Sequence, residues 1–341
     1  MIVLNVRNAN DGLFEGLMYL RHNGIWQNSR NGEVIRAPTP VITQYTKPME
    51  RVVFSPIRDA NPFFHLYESM WMLAGRNDVR AVARYAKQML EYSDDGSTLH
   101  DAYGHRWRKW FGHDQLKTII RLLKSNPLDR QCVLQMWDSE HDLARAGKAV
   151  PCNLIATFTV DPTWDSLDLT VFCRSNDIIW GTYGANAVHF GFLLEYVAVQ
   201  SGMKPGRYNQ ISVNYHAYEY QYRKCLQILD KPFLSSYPRV IEMPYEADYL
   251  ISDILEFADD CSYPHPGGNV ARIDHTEWGS MINRVLWAHQ LYKGEQYEAA
   301  LHVLKDAPIS DWTQASIEWI IRRRNRAVYA ELPSGNTPEG A

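Results

Sequence analysis

VPCNLIATFTVDPTWDSLDLTVFCRSNDIIWG, residues 150–181, contains two runs of strand character, CNLIATFTV (152–160) and LDLTVFC (167–173), joined by DPTWDS. Both runs are rich in β-branched and aromatic residues, and the Asp, Pro and Ser between them are turn formers, so they read as neighbouring strands. Outward from this pair, QCVLQMW (131–137) and RYNQISVN (207–214) read as further strands. AVHFGFLLEYVAVQSG (187–202), apolar nearly all round, reads as a buried helix. In NPFFHLYESMWMLAG (61–75), Asn61 can cap a helix, Pro62 suits its first position and Gly75 its stop. DQLKTIIRLLKS (114–125) is another helix, ended by Asn126 and Pro127. After Pro244 the chain is mostly helical, through HTEWGSMINRVLWAHQLY, EQYEAALHVLK and DWTQASIEWIIRRRNR, and it closes on a polar tail. Strands followed by helices predict an α+β fold with a helical C-terminal extension.

The 341 residues are 45% apolar, 22% charged and 12% aromatic, an ordinary globular composition. A chain of this length can bury a sizeable core without a disulfide or metal staple. A net charge of −4, from 35 basic and 39 acidic side chains, argues against broad binding to a nucleic-acid backbone. No apolar run approaches the roughly 20 residues of a membrane span. MIVLNVRNAND at the start is too short and too soon polar for a signal peptide. Five scattered cysteines without paired CxxC spacing predict neither a zinc site nor a disulfide framework, and point to a reducing cytoplasm.

Two positions stand out chemically. Cys152 opens a strand directly after the loop SEHDLARAGKAV. It is either a small buried hydrophobe or a reactive thiol, and a thiolate needs a nearby cation. Arg174, ending the neighbouring strand in CRSND, can be that cation, and with Ser175 and Asn176 beside it also suits phosphate oxygens. Glu68 falls on the apolar stripe of Phe64, Tyr67, Trp71 and Met72, four residues from Phe64 and from Met72. A carboxylate aimed at the interior needs a reason, either an arginine partner or chemistry.

PCN preceded by RQCVLQMWD, and CRSNDIIWG after it, resemble the core of thymidylate synthase and its pyrimidine hydroxymethylase relatives. SRNG (29–32) resembles that family's N-terminal phosphate loop, YESMWMLAG (67–75) its glutamate helix and DAYGHRWRKW (101–110) its tyrosine-glycine segment. NPLDRQ (126–131) resembles its paired-arginine segment, and NYHAY (214–218) its sugar site. The resemblance runs over roughly residues 12 to 240, with the pieces in family order. It implies a thymidylate-synthase-like fold, a large mixed β-sheet flanked by helices. The division it suggests is a catalytic domain over 1–245, a helical extension over 246–330 and a flexible tail over 331–341.

The resemblance also implies roles. Cys152 would add to C6 of a pyrimidine ring, turning C5 into a carbanion equivalent. Arg174 would lower the thiol pKa and bind phosphate together with Arg30, Arg130 and Ser175. Glu68 would manage the proton at O4 or N4, since burial favours the protonated carboxyl and so suits proton transfer near neutrality. Tyr103 would assist proton removal from C5, Asn186 would read the base, and His216 and Tyr218 would hold the sugar 3′-hydroxyl. Asp177 would bind the pterin of methylenetetrahydrofolate, and Trp71 is the second residue expected beside that folate. No metal is implied. The arginine matching Arg130 comes from the second subunit in the family, so a homodimer with shared sites follows, and its setting is the cytoplasm of a bacterium or a phage-infected cell.

Several departures bear on substrate and product. Gln131 replaces the second arginine of the pair, Asn153 the histidine after the nucleophile, and Cys173 the glutamine before the key arginine. Ungapped counting puts Ala185 at the base-reading position and Asn186 one residue late. No acid occurs between Asp177 and Glu195, so the reader is a neutral amide, which favours uracil over cytosine. Between Gly75 and Tyr103 there is no tryptophan, the residue with which the synthases shield the C5 methylene from water. The chain also continues into helices and a polar tail, where the synthases end in a short apolar segment that closes over folate. These features favour conversion of dUMP to 5-hydroxymethyl-dUMP. Thymidylate synthesis and hydroxymethylation of dCMP or CMP stay open, as do a Cys152–His216 hydrolase and a nucleotide-binding dimer without chemistry.

Overall fold

The computed structural model describes residues 1–161, 166–230, 236–260 and 273–331. Its centre is a six-stranded mixed sheet in the order β1 (Ile2–Val6), β4 (Val41–Tyr45), β9 (Lys204–Ser212), β7 (Ser166–Cys173), β6 (Asn153–Asp161), β5 (Val133–Gln135). β6 and β7 pair antiparallel from Asp161↔Ser166 to Asn153↔Cys173, as the alternation of their residues predicts. The DPTWDS turn between them falls largely outside the described residues, as does the tail beyond residue 331. A smaller sheet orders β2 (Ile25–Ser29), β3 (Gly32–Arg36), β10 (Tyr215–Tyr218) and β8 (Asn176–Asp177). The α+β class and the mixed sheet are as expected. The N-terminal strands β1 to β4 and this second sheet were not legible in the sequence, because their members are short and their partners lie far along the chain.

One face of the large sheet is apolar. Ala156, Phe158, Leu169, Val171 and Tyr208 are all buried there, beneath the helix that packs on β7 and β9. Helix α1 (Ala9–Asn23) is capped by Asn8, and α2 (Pro62–Leu73) by the Asn61 side chain, which accepts the Phe64 N–H at 3.1 Å. Gly75, just past the end of α2, has φ +70, a conformation that glycine adopts without strain. α3 (Gln115–Ser125) buries Leu116, Ile119 and Leu123, and α4 (Asn186–Ser201) is buried over nearly its whole length. Among the described residues nothing covers the opposite sheet face, with Val133 45% and Phe172 37% exposed.

α5 (Ala247–Asp259), α6 (Glu277–Lys293), α7 (Tyr297–Lys305) and α8 (Asp311–Glu331) are the predicted C-terminal helices. They share one continuous core with the sheet region. Phe63 on α2 packs on His289 and Trp319, with ring centroids 5.1 and 5.5 Å apart, and Phe192 on α4 stacks on Trp312 at 5.8 Å. Helix α2 is thus enclosed on both sides, which explains why a helix carrying Glu68 shows almost no polar face.

Candidate active site

Cys152 sits at the mouth of β6, one residue before a register shift between Asn153 and Ile155, and is half-buried. Arg174 follows β7 directly. Its backbone N–H donates to the Cys152 carbonyl at 2.8 Å, while Nε and Nη2 donate to the carbonyls of Pro151 and Val150 at 2.9 and 3.1 Å. The guanidinium therefore clamps the loop that carries the thiol. Burial pushes the Cys152 thiol above its ordinary value, and Arg174, then Arg30, pull it only part of the way back. The expected lowering by Arg174 is present as a contribution, but desolvation outweighs it in the unliganded chain.

Tyr103 lies between Cys152 and α2. Its hydroxyl accepts the backbone N–H of Cys152 at 2.9 Å and of Asn153 at 3.1 Å, and burial holds its pKa well above the ordinary range. Gly104 follows because α2 passes so close that a Cβ would fall on the Met72 backbone. Glu68 is buried, and its partner is His189 of α4, with Nε2 2.9 Å from Oε2, and not an arginine. Asp101, two residues before Tyr103, is half-buried and pushed up to about 6 by desolvation, with the Glu68 charge adding to the rise.

Beside the loop that carries Cys152 lies an open cleft of about 410 Å³. Arg30, Arg174, Ser175, His216 and Tyr218 all line it, joined by Arg145. Register explains the gathering: β10 pairs with β3 (Tyr218↔Val34) next to the Ser29–Gly32 turn that carries Arg30, and with β8 (His216↔Asp177). Alternation along β10 then puts His216 and Tyr218 on one face, their rings 5.4 Å apart. Arg130 is exposed on the turn before β5 and is not among the residues lining this cleft.

Asn186 begins α4 after a π-helical segment, Ile178–Ala185, in which Gly184 leaves helical geometry. A π turn holds one residue more than an α turn. Asn186 is thereby set against Asn153, the chain neighbour of Cys152. Its Nδ2 donates to Asn176 Oδ1 at 3.2 Å, and its Oδ1 accepts from Asn153 Nδ2 at 3.4 Å. Gln210 Nε2 donates to Asn153 Oδ1 at 3.3 Å, so four amides run in a chain, with the Tyr208 and Ser212 hydroxyls bonded at its two ends. Asp177 uses Oδ1 to accept the N–H groups of Ile179 and Trp180, leaving Oδ2 buried without a hydrogen-bond partner. Trp71, expected beside the folate, is 2% exposed, and its indole N–H donates to Asp78 at 3.1 Å.

A family model for thymidylate synthase matches residues 18–254, more than half of the chain. The chain belongs to the thymidylate synthase family. It is 43% identical to a deoxyuridylate hydroxymethyltransferase of Pseudomonas phage M6 over 95% of both chains. It is 31% identical to the enzyme of the same description from Bacillus phage SP01, over 69% of this chain and 70% of that one. The crystal structure of thymidylate synthase from T4 phage superposes with a TM-score of 0.56 at 21% identity, covering 71% of this chain and 89% of that one, and shows the shared fold.

Within this member of the thymidylate synthase family, three residues of the site escaped sequence reasoning: His189, Asp101 and Arg145. His189 had a readable signal, since it lies three residues beyond Asn186 on the same face of one helix. Asp101 and Arg145 sit in irregular segments whose neighbours are set only by the tertiary fold. Among the described residues, no cluster of His, Cys, Asp and Glu could hold a metal, and no helix is long and apolar enough to cross a membrane.

Proposed function

We propose that this chain hydroxymethylates C5 of deoxyuridine 5′-monophosphate, with methylenetetrahydrofolate as co-substrate. The observation that carries the choice of base is the amide chain Gln210–Asn153–Asn186–Asn176. An amide can donate to a ring carbonyl and accept from N3–H, as uracil requires, and no carboxylate stands among these groups to pair with an amino-bearing cytosine. The 43% identity to a phage deoxyuridylate hydroxymethyltransferase supports the same substrate and product.

In this reading the cleft arginines Arg30 and Arg174 hold the 5′-phosphate with Ser175, and His216 with Tyr218 holds the sugar. Cys152 adds to C6, Glu68 manages the proton at O4, and Tyr103 carries the proton from C5. The folate supplies a one-carbon unit at the oxidation level of formaldehyde. The unpartnered Asp177 Oδ2 suits the N–H donors of a pterin, so the residues present fit the co-substrate. The uncovered face of the large sheet supports a homodimer.

Incubation with dUMP and methylenetetrahydrofolate should yield 5-hydroxymethyl-dUMP by mass, without the absorbance rise of dihydrofolate. Cys152→Ala should abolish product while dUMP still binds. A stoichiometric absorbance rise with dTMP would instead identify thymidylate synthesis, and product from dCMP alone would overturn the base assignment.

A further inference from the structure

Resting on the hydroxymethylation reading, we infer that Glu68 and His189 act as one proton-accepting pair for the water that hydrates the C5 methylene, with His189 the positioning residue that selects hydration. The two meet where α2 crosses α4, with His189 Nε2 2.9 Å from Glu68 Oε2. His189 is only 6% exposed, and its Nε2 has no aligned hydrogen bond, the contact to Glu68 being close but off the donor direction. A buried polar nitrogen left in this state is costly unless the site uses it. Asn186 lies on the same helix face, one turn earlier, so the pair belongs to the wall that carries the amide chain.

The surrounding charges leave this pair as the proton sink. His65, three residues before Glu68 on α2, has its ring 6.4 Å from that of His189, and burial with Arg58 nearby keeps it neutral. Asp101 adds negative charge near Glu68 from the Tyr103 segment. No lysine or arginine is paired to Glu68 among the described residues. A carboxylate locked by a guanidinium is a poor base; one beside a buried imidazole can pass its proton on.

The step balances. Water oxygen bonds to the exocyclic methylene carbon, and its proton passes to Glu68 and on to His189. The electron pair of the C5–methylene double bond moves to the C4 carbonyl as an enolate. Collapse of that enolate restores C5=C6 and expels the Cys152 thiolate. No electrons are gained or lost, so no reductant is consumed. Hydride transfer needs no acceptor for a water proton, so His189 bears on product, whereas Glu68 also serves O4 in the earlier addition.

The test compares His189→Gln and His189→Ala with wild type, using dUMP labelled with tritium at C5. Tritium release reports every step up to C5 proton loss, and 5-hydroxymethyl product reports hydration. In both variants release should stay within about threefold of wild type, while product falls about a hundredfold. The methylene left waiting should be captured by added thiol as a C5 thioether, and KM for dUMP should move by less than about twofold. Release and product falling together, product unchanged, or loss of dUMP binding in both variants would each overturn the inference, the last because it makes position 189 structural. Wild-type protein yielding dTMP and dihydrofolate would overturn the functional reading itself, a result read before any variant is made.

Discussion

Tyr103 closes onto the nucleophile through the backbone: its hydroxyl oxygen accepts the amide N–H of Cys152 at 2.9 Å and of Asn153 at 3.1 Å. Both lone pairs of the phenol are thereby occupied, and its own O–H stays available as a donor. The residue proposed to carry the C5 proton therefore also fixes where the thiol begins its strand.

Tyr103→Phe should for that reason do more than slow turnover. It leaves two backbone N–H groups unpaired in a buried site, a cost of about 1–3 kcal/mol for each. The melting temperature should fall, and alkylation of Cys152 by iodoacetamide should change in rate because its loop is no longer tied. Unchanged stability and alkylation, with turnover alone reduced, would reduce Tyr103 to a proton carrier.

Asp101 raises the pKa of Cys152, against the pull of Arg174 and Arg30. Asp101→Asn keeps the shape and removes that charge, so the thiol should ionise at lower pH. The pH–rate profile for alkylation of Cys152 should shift to lower pH, by several tenths of a unit or more at the effective dielectric of such a site. A profile that stays in place or moves upward would show that Asp101 is neutral or turned away.

The contrast between Cys152 and His189 shows where sequence reading reached its limit. Cys152, Arg174 and Tyr103 were legible because each sits in a short string whose neighbours in the chain are also its neighbours in space. Glu68 was legible as an anomaly, a carboxylate on an apolar stripe, but its partner was not, because α2 and α4 are more than a hundred residues apart. Asn186 stands one residue beyond the position that ungapped counting gives, and the π-helical segment Ile178–Ala185 before it, visible only in backbone geometry, has room for one residue more. Trp71, expected beside the folate, is 2% exposed with its indole N–H bonded to Asp78, a burial that no residue of its own string announces. The strand β1 and the second sheet were missed because four- and five-residue strands are stabilised by distant pairing more than by their own composition.

Asp311 ties the C-terminal extension to the core. It is fully buried at the start of α8, bonded to the Tyr237 hydroxyl at 3.0 Å, and burial pushes it up to about 7. The folded chain holds this proton, whereas the unfolded chain releases it above an ordinary carboxyl value of about 4. Its contribution to stability is therefore fully present below about pH 4 and is lost as pH rises towards 7. Asp311→Asn keeps a polar cap without the charge, so the variant's melting temperature should fall less between pH 5 and pH 8 than that of wild type, a range set around the shift to about 7. An equal or larger fall in the variant would remove Asp311 from the pH response.

Arg130 provides the test of subunit sharing. It is exposed on the turn before β5 and absent from the lining of its own chain's cleft, while Val133 and Phe172 leave apolar surface on the open sheet face. If two copies join across that face, each Arg130 can reach its partner's phosphate site. Cys152→Ala and Arg130→Ala chains should each be inactive alone. Random mixing at equal amounts makes half the dimers mixed, and each mixed dimer holds one site with both native residues, so activity should return to about a quarter of wild type. Subunit exchange must be verified by mass-tagged chains, and exchange without recovered activity would show that Arg130 does not serve the neighbouring site. Recovery is specific to sharing: if Arg130 served its own chain's cleft, every mixed dimer would contain one site lacking the thiol and one lacking the arginine, and no activity would return.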